Sequence, residues 1–219
     1  MRKGWTGRFG WRAVCAVVIG ATLWMAPAQA EELRGDDAEE ALAKVEAYLN
    51  EIRTFSARFE QIDSRGRRAS GRVYVQKPGK LRFEYDPPVP ILIVANGNFL
   101  IHYDKELESA TYLNQRDTPA WFLVAPDIEL HGDVTVTGVE RDGGKLRVGL
   151  TKTSSPDDGA ATLIFTENPF RLVEWSITDQ QGVTTDVALK DVLIGGEVDR
   201  KLFEFSERTW NDSTYPGNR

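Results

Sequence analysis

Outside its first thirty residues this 219-residue chain has no cysteine, and within them Cys15 stands alone. A single thiol allows no internal disulfide and no cysteine-based metal site, so stability has to come from an apolar core. Histidine is nearly as scarce. His102 alternates with Ile101 and Tyr103, and His131 follows Glu129-Leu130 near a turn. Neither has the spacing of a metal ligand or a catalytic triad, so both are expected to face solvent. Phosphate loops, dinucleotide fingerprints and nucleophile elbows are missing, and Gly143-Gly144 and Gly195-Gly196 read as turns. No cofactor and no metal are expected.

A membrane-spanning run is lacking too. The apolar stretch from Ala13 to about Ala26 follows Arg2, Lys3, Arg8 and Arg12 and ends in Ala28-Gln29-Ala30. It is shorter than the roughly 20 residues a spanning helix needs and meets a small-residue cleavage site, so residues 1–30 read as a secretory signal peptide. Residues 31–219 are then one exported domain. Arg12-Ala13-Val14 before Cys15 lacks the small-residue pattern that precedes a lipid-modified cysteine, which argues against a lipid-anchored receptor. The leader holds four of the 27 basic residues and none of the 33 acidic ones, leaving the mature chain at 23 against 33, a formal charge of −10. Nucleic acid is therefore a poor partner. The local cluster Arg65, Arg67, Arg68 and Arg72 reads as a solvated hairpin tip, with contact to a partner or anionic lipid as the alternative.

What is present is periodicity. In "DDAEEALAKVEAYLNEIR", Leu42, Val45, Leu49 and Ile52 recur at helical spacing, with Asp36 or Asp37 placed to cap an amphipathic helix. From Phe55 the period becomes two: Phe55, Ala57 and Phe59, then Val73 and Val75, then Leu81, Phe83 and Tyr85. The rhythm returns around the Asn96-Gly97 and Asp142-Gly143 turns, in Val134 and Val136 and in Leu146, Val148 and Leu150. Later strands put Val173, Trp175 and Ile177 on one side, and Val183, Val187 and Leu189 on another. About ten antiparallel strands with one helix predict a mainly β (α+β) chain: an incomplete barrel with an N-terminal helix and a short helical lid over its concave apolar face.

The lid is read from "RDTPAWFLVAP", where Thr118 is placed to cap a short helix with Pro119 at its first position. Trp121, Phe122, Leu123 and Val124 are too apolar for an exposed connection. An unfilled curved sheet leaves an apolar concavity, and apolar concavities take apolar ligands. Glu84 and Asp86 could in principle form a carboxylate pair for glycoside hydrolysis, but alternation puts them opposite Phe83 and Tyr85, on the wet face. An enzyme is not expected.

The stretches "FSARFEQ", "GRVYVQKPGKLRFEY", "PVPILIVANGNFLIHYDKELESA", "TPAWFLVA" and the late "FEF" come in an order and spacing that resembles the periplasmic outer-membrane lipoprotein carrier family, LolA. The resemblance implies a half-open barrel that accepts the acyl chains of triacylated lipoproteins. It implies receipt of cargo from an inner-membrane ATP-driven lipoprotein-releasing complex and, where one exists, delivery to an outer-membrane lipoprotein receptor. The chain would act as a monomer. A lipid or lipoprotein sensor of the same fold that transports nothing is the alternative. The expected acyl-chain cavity comprises Leu49, Phe59, Val73, Val75, Phe83, Tyr85 and Trp175, and the lid Trp121, Phe122 and Leu123. In the family a basic residue before the proline of the "KPG" corner contacts the covering helices. Lys77 holds that place, where the family usually has arginine, and Leu81 is grouped with it as lid latch and partner contact. The carboxyl end departs as well, since "FEFSERTW" lacks the family's common Pro-x-Gly after the Phe-x-Phe pair.

Overall fold

The computed structural model of the protein describes residues 30–118 and 121–206. The expected signal peptide cleavage region, Pro119 and the end of the chain lie outside the described residues. Helix α1 (Asp36–Glu51) buries Ala41, Val45 and Leu49, with Leu42 packed beside them. Its N-cap is Gly35, with no side-chain cap. Asp36 and Asp37 sit instead inside the first turn, where they complement the positive end of the helix dipole.

The strands are β1 (Glu31–Glu32), β2 (Thr54–Asp63), β3 (Arg68–Gln76), β4 (Lys80–Tyr85), β5 (Ile91–Asn96), β6 (Phe99–Asp104) and β7 (Ser109–Asn114), then β8 (Val134–Asp142), β9 (Lys145–Lys152), β10 (Gly159–Glu167), β11 (Phe170–Asp179) and β12 (Thr184–Ile194). They form one antiparallel sheet in the order β1-β8-β9-β10-β11-β12-β2-β3-β4-β5-β6-β7, which does not close: β1 and β7 are free edges. Two strands exceed the expected ten. β1 has only two residues, and β7 ("SATYLN") lies mostly exposed, so neither carries an apolar face that periodicity could detect.

One face of the curved sheet carries the core. Phe59, Val73, Val75, Leu163, Phe165 and Val148 are fully enclosed there, and α1 lies against them. Gly71 makes room for this packing. A Cβ at that position would lie 2.7 Å from the Phe59 ring, so glycine lets the ring rest on β3.

The strand pattern is corrected in β11. A bulge facing Ile164 and Phe165 makes Leu172, rather than Val173, the buried neighbour of Phe165, while Trp175 stays inward opposite Val187. One extra residue in a strand reverses the facing of every residue before it, which strict alternation cannot anticipate. On β12, Val187 is buried and Leu189 packs on the core, whereas Val183 precedes the strand.

The convex face is not uniformly wet. The segment Arg200–Phe205 crosses β4, β5 and β6, burying Leu202 and Phe203 and placing Phe205 against Tyr103 at 5.3 Å between ring centroids. Beneath it lies a second, smaller apolar cluster of Leu92, Val94 and Tyr103.

Candidate functional site: a covered concave face

The aromatic positions of β2, β4 and β11 converge on the concave face. Phe59 meets Phe83 and Tyr85 edge-on, each at 5.2 Å, and Phe83 meets Trp175 edge-on at 6.3 Å. Edge-to-face packing at such distances adds roughly 0.5–1.5 kcal/mol per pair beyond buried area. The Tyr85 hydroxyl donates to Gln61 at 3.0 Å, and burial pushes its pKa up to about 12, so it stays a neutral donor. Of the seven expected cavity residues, Leu49, Phe59, Val73, Val75, Phe83 and Trp175 are buried and Tyr85 is half-buried.

What covers them is the expected lid. Trp121–Leu123 forms a single 3-10 turn rather than a longer helix. Phe122 and Leu123 are buried, and the Phe122 ring meets Trp175 at 6.1 Å. Thr118 stands before this turn: its carbonyl accepts the Trp121 amide at 3.2 Å, and its hydroxyl donates to the Gln115 carbonyl, closing the preceding 3-10 turn Gln115–Asp117. Trp121, half-buried, borders an open cleft of about 690 Å³ with Val124, Ala125, Val134, Gln115 and Lys152.

Among the described residues, the segment that follows the lid, Val124–Leu130, is tied to the Lys-Pro-Gly corner and to α1. The Gly79 amide donates to the Val124 carbonyl at 2.8 Å. Gly79 has φ of 77°, and a Cβ there would come within 2.9 Å of the Gly97 Cα, so only glycine fits this corner. Asn50 pairs reciprocally with the backbone of Ile128, at 2.9 and 2.7 Å, and Glu46 accepts the Leu130 amide. These clasps on α1 were not legible in the sequence, because Asn50 and Glu46 occupy the polar face of an amphipathic helix.

Lys77 joins the same assembly. Its backbone amide donates to the Arg53 carbonyl at 2.7 Å, and its Nζ donates to the Leu49 carbonyl, in the last turn of α1, at 2.9 Å. That carbonyl lies at the negative end of the helix dipole, so a cation suits it. The contact is to α1, while Gly79 two residues on grips the segment after the lid. Burial, reinforced by the nearby Arg53 charge, lowers the Lys77 pKa from 10.5 to about 8, against an opposing pull from Asp127. Leu81, expected as a partner contact, is buried on the concave face opposite Val75 and Ala95.

Because the folded pKa lies below the unfolded one, the unfolded chain binds more protons between about pH 8 and 10.5. Stability gains with rising pH across that window, and the penalty is full below it. The difference in unfolding free energy, wild type minus Lys77→Met, is expected to rise by about 2 kcal/mol from pH 7.5 to 10. Urea titrations at both pH values check this, and a flat difference would show that Lys77 keeps an ordinary pKa.

Glu84 and Asp86 lie on the convex side, but neither is a bare carboxylate. Glu84 is covered and accepts Arg82 Nε at 2.6 Å. Asp86 accepts both Arg58 nitrogens, at 3.1 and 2.6 Å, and Ser70 at 2.7 Å, and these bonds hold its carboxyl below the usual range. His131 is exposed and His102 half-buried. Among the described residues no cluster of three metal-ligating side chains occurs, and no helix is long and apolar enough to cross a membrane.

The family model "Outer membrane lipoprotein carrier protein LolA" matches residues 50–206, which include the lid, the corner and every strand from β2 to β12. The chain belongs to the LolA family. An outer-membrane lipoprotein carrier protein of Legionella pneumophila (strain Lens) is 34% identical over 172 residues, covering 74% of this chain and 83% of its own. Another, from Chromohalobacter salexigens, is 30% identical over 199 residues, covering 87% and 91%. Among solved structures, a LolA superfamily protein of Nitrosomonas europaea is similar at 10% identity with a TM-score of 0.45, covering 75% of this chain and 97% of that one. The LolA match takes in Phe59, Val73, Val75, Lys77, Leu81, Phe83, Tyr85, Trp121, Phe122, Leu123 and Trp175, while Leu49 falls one residue before it.

Proposed function

We propose that this LolA-family chain is a periplasmic carrier whose concave face takes lipoprotein acyl chains in place of the Trp121–Leu123 turn. The observation that carries the reading is the lid itself: an apolar turn whose Phe122 and Leu123 fill an aromatic concavity. The order of magnitude favours exchange. Lid closure buries Phe122, Leu123 and Val124, together about 6 kcal/mol, whereas one acyl chain of ~14 methylenes gains on the order of 10 kcal/mol. Cargo therefore displaces the lid, and the lid in turn offsets much of the cargo's affinity, so release to an acceptor stays within reach. Transfer on this scheme needs no covalent step. Lipoproteins enter from an inner-membrane ATP-driven releasing complex and leave to the outer membrane, through a receptor where one exists.

The test is co-purification. The exported protein, isolated from cells overproducing a lipoprotein, is expected to hold one triacylated partner, detected by native mass spectrometry, and to lose it in Phe83→Asp. An empty protein that also fails to release lipoproteins from energised inner-membrane vesicles would sink the reading. A second variant separates lid from cavity. Phe122→Ala removes a lid side chain worth about 2 kcal/mol of closure, so binding of a fluorescent fatty acid is expected to tighten roughly tenfold or more. Weaker binding would make Phe122 a wall of the site rather than its competitor.

A further inference from the structure

The β2–β3 hairpin concentrates positive charge in an otherwise acidic chain. Residues 61–72 carry four arginines and one aspartate, a net +3, whereas the whole chain stands at −6. Arg65, Arg67, Arg68 and Arg72 are all exposed. Arg65 and Arg67 lie at the tip, while Arg68 and Arg72 occupy positions of β3 with the same facing, Arg72 directly opposite Arg58 on β2 and opposite Glu84 on β4.

The acids nearby are committed elsewhere. Asp63 binds the Arg65 and Arg67 amides and the Arg67 side chain. Asp86 is held by Arg58 and Ser70, and Glu60 by Lys190. Among the described residues Arg65, Arg68 and Arg72 therefore enter no salt bridge, although Arg72 still feels the charge of Asp86.

We infer that this hairpin is an electrostatic docking surface for anionic phospholipid membranes. Two observations favour a lipid surface over a protein. No exposed large hydrophobic residue lies on β2, β3 or the turn between them, so the patch lacks the apolar anchors that a protein interface builds around. Guanidinium, meanwhile, forks onto phosphate oxygens and is weakly hydrated, which suits a field of headgroups. The neighbouring cleft of about 370 Å³ carries Glu60 and Asp86 along with Arg68, so it is no pocket for a single phosphate. The arginines act together as surface charge, worth roughly fivefold in membrane partitioning apiece. Docking needs no cargo, so it stands or falls independently of the carrier reading.

The test is flotation of the cargo-free protein with vesicles of phosphatidylglycerol and phosphatidylethanolamine, against vesicles of pure phosphatidylcholine. Binding is expected only to the anionic vesicles, weakening as salt rises toward about 0.15 M. The triple variant Arg65→Ser/Arg68→Ser/Arg72→Ser should lose at least tenfold, and Arg65→Lys/Arg68→Lys/Arg72→Lys should keep most of the binding, which rules out misfolding as the cause. Equal binding to both vesicle types, or undiminished binding by the serine variant, overturns the proposal. So does no binding at all, which would turn attention to an acidic protein face.

Discussion

Trp175→Ala is expected to lower the unfolding free energy by about 4 kcal/mol, a large part of the 5–15 kcal/mol that holds a typical domain together. Trp175 is almost wholly enclosed, and its ring joins the sheet aromatics to the lid through Phe83 on one side and Phe122 on the other. Removing it leaves a cavity bordered by two rings from different elements, and neither can collapse inward without breaking its other contacts. The lid also loses its principal seat. Urea denaturation measures the first effect, and binding of an apolar dye to the native variant measures the second. Trp175→Phe, which restores most of the volume, should recover half or more of the loss. A cost for the alanine variant below about 1 kcal/mol would mean that the concave face repacks freely and that Trp175 anchors nothing.

Arg82→Ala should be almost as damaging, on the opposite face. The guanidinium is fully buried under the Arg200–Phe205 segment, donating to Glu84 at 2.6 Å and to the Leu202 carbonyl at 2.9 Å. Truncating it takes from the covered Glu84 carboxylate its hydrogen-bonded cation, leaving the charge of Lys105 nearby, and removes the donor that Leu202 accepts. Breaking one side of a buried pair in this way typically costs about 3–5 kcal/mol. Replacing both partners, as Arg82→Met with Glu84→Leu, should restore most of the stability, because matched apolar side chains carry no stranded charge. A double-mutant cycle by urea denaturation reads the coupling directly. If the double variant proved as unstable as Arg82→Ala alone, the contact to Leu202, rather than the ion pair, would be what matters.

These two sites differ in how far the sequence revealed them. Trp175 was legible because a large aromatic on an alternating strand has few places to go but inward. Arg82 was not. By alternation it belongs with Glu84 on the wet side of β4, and only the return of the chain some 120 residues later covers both. The lid was legible by its composition, since Trp121, Phe122 and Leu123 could not be left in water, yet its form as one 3-10 turn and the clasps of the segment after it to Asn50 and Glu46 were not.

The sequence by itself determined the helix, the strand alternation, the aromatic face and the apolar connection, because each follows from local periodicity and from the cost of exposing apolar surface. Tertiary structure alone decided which partners complete them. Whether the Lys77 ammonium meets α1 or the lid, whether Leu172 or Val173 points inward, and whether a convex carboxylate is wet or buried all depend on residues far apart in the chain. Each such contact is fixed by how the sheet bends and by what crosses its faces, and no local pattern encodes that.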